Sequence, residues 1–448
     1  MPNARGRAWL WAAVAALGLL VASGPATAAA HAVLLRGTPS NRQTLTRAPD
    51  QVQLLFSEPL DRVFSSVDVV DASGQRVDLG DGRVDAADDH LLTVSLKPNL
   101  PNGVYTVLWR SLSSIDVHPD QGQYPLFVGV PVAQPATSSG TPAITSTPET
   151  TLGRWWFYLG ASLFGGTLAT WKFVIGRLVD GTHAEAREAL RRRTYRLIVL
   201  GGVLLIVGTL FTAVAQAAAA ANVPLVSALG QPIADLLLRG RFAAIWWPRV
   251  GLEVASVLLI AIGGVDGLAS ECALATLPAV LLTSALTSHG AALPLGAAPG
   301  IAIDWLHILG ATAWVGGLIG LVVLAPALWG AARSGSSDPL LRTVVAGFGP
   351  FALTAALVVV LSGTLQSVLE LGSWVALVST TYGRLVLVKV GLLVAMLLLA
   401  VFNEWRVRTA SSLALGLVGG VRAELALGLV VLAVAALLSG TPPSVAGG

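Results

Sequence analysis

Residues 91–109, LLTVSLKPNLPNGVYTVLW, contain two short segments in which apolar and polar residues alternate, separated by the turn signal Asn102-Gly103. Alternation with a period of two is typical of β-strands that bury one face. The same pattern recurs upstream at residues 52–56 and 66–70. About 100 residues of this kind, from residue 31 to residue 130, predict an antiparallel β-sandwich with one core.

Beyond residue 150 the chain has the composition of a membrane protein. Over its whole length 54% of the residues are hydrophobic and 12% are charged, which is too apolar for one soluble domain. Eight stretches are each apolar and long enough to cross a bilayer as a helix, which predicts an all-α polytopic bundle of eight transmembrane helices within residues 151–440. They lie near residues 154–175, 195–218, 242–263, 269–288, 303–328, 344–369, 384–402 and 421–438.

Residues 1–30 have the parts of a secretory signal peptide. Arg5 and Arg7 precede an apolar run, and Ala28-Ala29-Ala30 fits the small-x-small cleavage pattern. Cleavage after Ala30 would export the sandwich and make His31 its amino-terminal residue. The alternative is an uncleaved anchor, which would leave the terminal amine at Met1.

The distribution of arginine predicts how the chain is oriented in the membrane. If the first helix starts outside, eleven arginines flank the helices on the cytoplasmic side and four lie outside, as the positive-inside rule expects. The predicted location is therefore the cytoplasmic (inner) membrane, with the N-terminal domain and the carboxyl terminus on the extracytoplasmic side. Residues 131–150, rich in Pro, Thr and Ser, are predicted to be an extended linker, and residues 441–448 a C-terminal tail.

His31, Asp116 and His118 form a first group of candidate metal ligands. A terminal histidine offers its amine and its ring Nδ1 to one ion, and Cu(II) favours such nitrogen-rich tetragonal sites more strongly than zinc does. Pro119 favours an extended conformation at His118, and side chains two apart in an extended segment point to the same side, so Asp116 and His118 are expected to converge. The alternative is a turn-forming aspartate beside ordinary surface histidines.

His289 and His307 form a second group, at the outer ends of the fourth and fifth apolar stretches. The connection between these stretches is short, so the two histidines are expected to be neighbours that accept copper from the exported domain. Asp304, three residues before His307, could orient the His307 ring. The alternative is that both rings bond to backbone or water at the membrane interface.

Ionisable residues also occur inside the apolar stretches, where they should face the bundle interior. Arg249 and Glu253 are four residues apart and are predicted to form an ion pair that specifies packing, with an ion pathway through Glu253 as the alternative. Lys389 should likewise be paired or hydrated. Gln216, Gln366 and Glu370 are expected to line a vestibule or to bond between helices.

Residues 31–130 resemble the CopC family of periplasmic copper-binding proteins. The resemblance lies in His31-Ala32-Val33-Leu34, in residues 48–59, in Gly103-Val104-Tyr105-Thr106-Val107 and in Ser114-Ile115-Asp116-Val117-His118-Pro119. It implies a Greek-key sandwich of cupredoxin or immunoglobulin type that holds Cu(II) through His31, Asp116 and His118. Because residues 31–130 contain no methionine, the soft ligands of a Cu(I) site are missing and a Cu(II)-only domain is expected.

Most of residues 150–440 resemble the CopD family of inner-membrane copper proteins. The shared motifs are Ser288-His289-Gly290, Asp304-Trp305-Leu306-His307, Ala313-Trp314-Val315-Gly316-Gly317, and Tyr382-Gly383-Arg384 with Lys389. The resemblance implies copper movement through the membrane, with import as the expected direction. The whole chain thus resembles a fused CopC–CopD copper transport protein of the copper-resistance family, and not an enzyme.

Copper and the lipid bilayer are the expected partners, with an extracytoplasmic copper donor left open. Residues 31–130 carry eight basic and twelve acidic residues, and the other basic residues mostly flank apolar stretches, so nucleic acid is not an expected partner. The chain has no Gly-rich lysine motif for a nucleotide, so transport should be passive or gradient-driven. Two alternatives are a histidine-brace copper monooxygenase built on His31 and an electron-transfer protein with haem between His289 and His307.

Overall fold

The computed structural model describes residues 32–131, 147–179, 184–292, 297–330, 338–371, 373–409 and 414–441. His31 and the leader before it lie outside these residues, as do residues 132–146 of the predicted linker and residues 442–448 of the predicted tail. The cleavage site and the terminal chelate therefore stay predictions.

Residues 34–128 form two four-stranded sheets that pack face to face, which confirms the predicted sandwich. One sheet has the order β1-β3-β6-β5 and the other β2-β8-β7-β4. The strand pairs are antiparallel except for the parallel pair β2 and β8. The strands are β1 Leu34–Thr38, β2 Thr44–Leu45, β3 Gln51–Phe56, β4 Ser66–Asp71, β5 Arg83–Val84, β6 Leu91–Ser95, β7 Gly103–Leu112 and β8 Pro119–Val128.

The core of the sandwich comes from the alternation seen in the sequence. Every second residue of β3 and β6 is buried, as are Val67 and Val69 of β4; along β3 the buried residues are Val52, Leu54 and Phe56. Tyr124 of β8 closes the core near β1, where its hydroxyl donates to the Pro39 carbonyl at 2.8 Å. Burial raises the pKa of Tyr124, so this hydroxyl stays a donor.

Asp78 is a buried carboxylate that fastens the segment after β4 to the sandwich. It accepts hydrogen bonds from the Val69 amide at 2.8 Å, the Gly80 amide at 2.8 Å and the Arg76 guanidinium at 2.7 Å. Burial alone would raise the pKa of Asp78, but these bonds outweigh it and hold the pKa below its usual value. The charged form therefore stabilises the fold at pH values above the ordinary aspartate pKa of about 3.9. This stabilisation is lost as pH falls through the lower pKa that Asp78 has in the folded state.

Replacing Asp78 by asparagine should destabilise the sandwich by about 1–3 kcal/mol at pH 7, because a charged acceptor of three hydrogen bonds is lost. The difference from wild type should shrink as pH falls through the lowered folded pKa of Asp78, because the native carboxylate then becomes protonated as well. Hydrogen exchange of the β4 amides, corrected for intrinsic rates, measures both effects. Asp50→Asn, at an exposed position, is the control. Equal protection of β4 in Asp78→Asn and wild type at pH 7 would contradict the assignment.

The rest of the chain is helical. Residues 148–178 form a helical column in which two π-helical turns, Ser162–Gly166 and Trp171–Ile175, separate three α-helical pieces. The column begins inside the segment predicted to be a linker. The α-helices are α1 Pro148–Ala161, α2 Thr167–Thr170, α3 Gly176–Leu178, α4 Ala184–Ala221, α5 Gln231–Leu238, α6 Gly240–Gly263, α7 Leu268–Ala285, α8 Ala297–Gly330, α9 Asp338–Leu371, α10 Ala376–Ser379, α11 Thr381–Thr409 and α12 Ala414–Leu438.

Within the described residues, seven helices are long and apolar enough to cross a membrane, and the protein is a multi-pass membrane protein. These helices are α4, α6, α7, α8, α9, α11 and α12. The first predicted span falls on the column, whose π turns break it into short pieces, so eight single helices are not observed. In the apolar window of α8 72% of residues are buried, against 11% in α11, which makes α8 the central helix and α11 a peripheral one.

The column and α8 cross with their backbones in direct contact. A Cβ atom on Gly166 would overlap the Thr312 carbonyl oxygen, and one on Gly316 would overlap the Ser162 carbonyl oxygen. The Thr167 hydroxyl donates to the Gly316 carbonyl at 3.3 Å across the same contact. Small residues at such a crossing let helices in a membrane approach closely.

The predicted ion pair between Arg249 and Glu253 is wrong. Arg249 Nε donates to the Thr283 hydroxyl of α7 at 2.7 Å, while Glu253 accepts from the Thr209 hydroxyl of α4 at 2.7 Å. The salt bridges among the described residues do not include one between the two. Arg249 and Glu253 instead bond to two different neighbouring helices, so both side chains tie α6 into the bundle.

Candidate metal centre at the domain junction

Asp116 and His118 lie in the loop of residues 113–118, which joins β7 to β8. These strands pair up to Leu112 and Pro119, so the loop is the tip of a long hairpin. The segment from Asp116 to His118 is not extended as predicted, because Val117 has a φ of 60°, in the left-handed region. Asp116 Oδ1 accepts the His118 amide at 3.1 Å, so a tight turn brings the two side chains together.

Hydrogen bonds from Ser113 and Glu58 hold this turn in place. The Ser113 hydroxyl accepts from the Ile115 amide at 3.0 Å and from the Asp116 amide at 3.3 Å, and it donates to the buried Glu58 carboxylate. These bonds satisfy the loop's backbone donors within the sandwich. The position of Asp116 is therefore set before any ligand binds.

The hairpin tip is docked on the ends of several helices of the bundle. Leu112 and Val117 share an apolar cluster with Ala217 and with Leu236 of α5. The Gln216 side-chain amide donates to the Val117 carbonyl, and Arg110 Nη1 donates to the Ala221 carbonyl at 2.9 Å. We call this contact between sandwich and bundle the junction.

The junction brings together Asp116, His118 and His289, whose ligand atoms all lie within 4.8 Å of one another. His118 Nδ1 is 3.0 Å from Asp116 Oδ2. The His118 and His289 rings stack, with centroids 4.8 Å apart and planes inclined by 29°. His289 comes from the turn His289–Ala292 after α7, so one ligand of this group belongs to the bundle.

A contact to the end of α12 assigns the ring nitrogens of His118. Its Nε2 lies 3.1 Å from the Ser439 carbonyl oxygen, which can only accept, so Nε2 carries hydrogen. In the neutral ring Nδ1 then directs its lone pair towards Asp116. Two ligand atoms bound at about 2.0 Å and at right angles to one ion lie about 2.8 Å apart, close to the observed separation. Two imidazoles and a carboxylate are a donor set that suits Cu(II), and His31 is predicted to add its amine and ring.

His307 lies in a different environment from His289. Its Nδ1 is 3.2 Å from both the Val359 carbonyl oxygen and the Ser362 hydroxyl of α9, and its Nε2 is 3.2 Å from Lys389 Nζ of α11. The two histidines predicted to be neighbours therefore contact different groups.

Asp304 does not orient the His307 ring as predicted, because α9 and α11 supply the ring's partners. Asp304 instead accepts from Gln366 at 3.3 Å. Gln366 also donates to Glu370 at 3.1 Å, and the Glu370 carboxylate accepts the Tyr382 hydroxyl. The Ser288 side chain, directly before His289, faces Asp304, so this buried polar cluster begins beside the junction.

Comparisons with known proteins agree with this two-part architecture. A CopC domain model matches residues 34–129, and a Copper resistance protein D model matches residues 342–438. Over 426 residues the chain is 31% identical to the Copper transport protein CutJ of Bacillus subtilis (strain 168), which covers 93% of this chain and 75% of CutJ. The chain belongs to the family of fused CopC–CopD copper transport proteins.

Further relatives match the CopC part alone. Protein YobA of Escherichia coli (strain K12) is 30% identical over 95 residues, which are 21% of this chain and 76% of YobA. Among solved structures, CopC from Methylosinus trichosporium OB3b is 30% identical, with a TM-score of 0.20, and covers 23% of this chain and 99% of that one. PcoC, a methionine-rich copper resistance protein from Escherichia coli, is 31% identical, with a TM-score of 0.19, and covers 22% and 99%.

The family matches identify the two domains of this CopC–CopD chain, but they do not predict how the domains pack against each other. The CopC match contains Asp116 and His118, and the CopD match contains Glu370 and Lys389. His289 precedes the CopD match, and its place beside His118 follows from the docking of the two domains. The half-buried His90 stays outside the cluster, where its Nδ1 lies 3.2 Å from the Phe56 carbonyl oxygen.

Proposed function

We propose that this protein captures Cu(II) at the junction and moves copper through the bundle into the cell. The observation that carries the proposal is the convergence of Asp116 and His118 from the sandwich with His289 from the bundle. Membership of the family that includes the Copper transport protein CutJ supports copper as the cargo. An ion held by both domains already touches the membrane part, so its transfer needs no diffusion of a loaded domain.

Some of these residues capture Cu(II), and others guide copper through the bundle. His31, once cleavage exposes its amine, completes the Cu(II) ligands at the junction with Asp116, His118 and His289. The polar cluster of Asp304, Gln366, Glu370 and His307 continues from there into the bundle. The chain lacks a nucleotide motif, so an ion gradient or the copper gradient itself drives passage.

The membrane topology that fits this function has eight crossings, with the column of residues 148–178 as the first. At 1.5 Å per residue the column is about 46 Å long, more than the hydrocarbon thickness of about 30 Å. The contact between His118 and Ser439 supports an even number of crossings, because it puts the end of α12 on the same side as the sandwich. The arginine distribution supports the extracytoplasmic side for both, and the CopC match supports a Greek-key, cupredoxin-like sandwich.

The alternatives have less support. His289 belongs to the junction group while both ring nitrogens of His307 have protein partners, which disfavours a haem between these two histidines. The Asp116 carboxylate beside His118 Nδ1 occupies a position that a histidine-brace oxygenase would keep open for oxygen.

Replacing His307 by alanine should lower copper uptake into proteoliposomes at least tenfold, about 1.4 kcal/mol in the barrier, while leaving Cu(II) capture at the junction intact. The reason is that His307 lies beyond the junction, among α8, α9 and α11. Copper inside the vesicles is measured by mass spectrometry after removal of external ion with a chelator. His90→Ala is the control histidine variant. Equal uptake by His307→Ala and wild type would refute this route.

A further inference from the structure

We propose that Lys389 is a built-in cation that occupies the metal-accepting nitrogen of His307, and that copper crossing the bundle replaces its ammonium group there. This inference rests on the proposed function and adds to it the group that the cargo must displace. It makes Lys389 the residue that keeps the inner site closed when no copper is present.

The first step is the hydrogen on the His307 ring. The Val359 carbonyl oxygen, 3.2 Å from Nδ1, can only accept, so Nδ1 carries the hydrogen and Nε2 presents a lone pair. The Ser362 hydroxyl donates to a backbone carbonyl of its own helix, and its oxygen can also accept from Nδ1. An imidazole held in this way has the form in which histidine binds metals through Nε2.

The second step concerns the group that faces the lone pair of His307 Nε2. Lys389 Nζ is 3.2 Å from His307 Nε2, and an ammonium group has three donors and no acceptor. The ammonium therefore faces the nitrogen to which a metal ion would bind and blocks access to it. Asp304 and Glu370 lie near enough to attract the Lys389 charge, and both carboxylates would attract a copper ion at the same place.

The third step is the fixed position of the ring and of the lysine. A Cβ atom on Gly363 would lie 2.8 Å from His307 Cε1, so the α9 backbone presses against the imidazole. Lys389 belongs to α11, the peripheral helix, where its neighbours Val388 and Val390 are about half exposed. A lysine on such a helix can reach lipid headgroups or turn inward, and here it turns inward to His307.

A purely structural lysine, present only to neutralise the buried carboxylates, would give a different outcome in one experiment. If Lys389 only neutralises Asp304 and Glu370, its removal leaves His307 without new affinity for copper. If it occupies the metal position, its removal opens a copper site that depends on His307.

The test uses the full chain in detergent with the junction disabled by His118→Ala and His289→Ala. In this background Lys389→Met should bind a further equivalent of copper at least tenfold more tightly than the parent, and Lys389→Arg should not, because arginine keeps a cation in place. The probes are copper(II) sulfate and, under argon, copper(I) from its acetonitrile complex. Stoichiometry after desalting is the main readout, and nitrogen coupling in the electron paramagnetic resonance spectrum reports an imidazole ligand to Cu(II).

Adding His307→Ala to Lys389→Met should abolish the new site. Lys389→Gln serves as a second variant if the methionine chain does not purify as a single species. Equal copper binding by the Met, Gln and Arg variants, or binding that survives loss of His307, overturns the inference. Neither of these two results contradicts the proposed function. That function fails on a separate observation, namely if His307→Ala transports copper as well as wild type does.

Discussion

Cu(II) binding by the mature full-length chain should weaken about a hundredfold when His289 is replaced by alanine, although His289 belongs to the membrane bundle. The cause is that its ring lies against His118 within the group that includes Asp116, so the substitution removes one of the proposed imidazole ligands. A hundredfold change in affinity corresponds to about 2.8 kcal/mol. Competition titration against a Cu(II) chelator in detergent measures it.

The matched variants separate a shared site from a site within the sandwich. His118→Ala should lose at least as much affinity as His289→Ala, because His118 also faces the Asp116 carboxylate at 3.0 Å. His90→Ala should bind like wild type, since His90 is a half-buried histidine of the same domain that lies outside the group of Asp116, His118 and His289. If His289→Ala retained full affinity while His118→Ala lost it, the sandwich would hold copper alone and the junction would not be a shared site.

The second large effect concerns the crossing of the column with α8. Gly316→Ala should destabilise the bundle by about 3 kcal/mol or more, because its methyl group would overlap the Ser162 carbonyl and force two packed helices apart. Thermal unfolding in detergent, followed by the fluorescence of the bundle tryptophans, measures the loss.

Gly251→Ala is the matched control, because a Cβ built there has no described heavy atom within 4 Å apart from its chain neighbours and the nearby backbone of its own helix. Alanine forms helix better than glycine by about 1 kcal/mol, so this variant should be as stable as wild type or slightly more so. Similar melting temperatures for the Gly316 and Gly251 variants would show that the crossing can relax, contrary to the close contact described.

The strands of the sandwich could be predicted from the sequence where one face of the strand is buried and the other is not. β3, β4 and β6 alternate between core and surface, and the sequence shows the same alternation. The strands β2 and β5 have two residues each, too short for any periodicity. The first half of β8 is not buried on either face, so it carries no apolar signal.

The candidate site could be predicted only in part, because its residues meet through docking. Asp116 and His118 were identifiable from their spacing. The turn that makes them converge needs a left-handed backbone at Val117, and a β-branched residue such as valine does not predict that conformation. The charges of Lys389 and Glu370 within apolar stretches do predict an interior location. The position of His289 beside His118 depends on how two separately folded parts pack, which local patterns do not encode.

The backbone oxygen of Ser439, directly after α12, accepts a hydrogen bond from the His118 ring and so links the end of this helix to the sandwich. A chain shortened after residue 438 would keep its helices but lose the acceptor that decides which nitrogen of His118 bears hydrogen. Affinity tags are usually appended at this terminus, and one that pulls residues 439–441 away would alter copper capture while sparing the fold. Purification handles are better placed in the connection between α3 and α4, at the opposite end of the column.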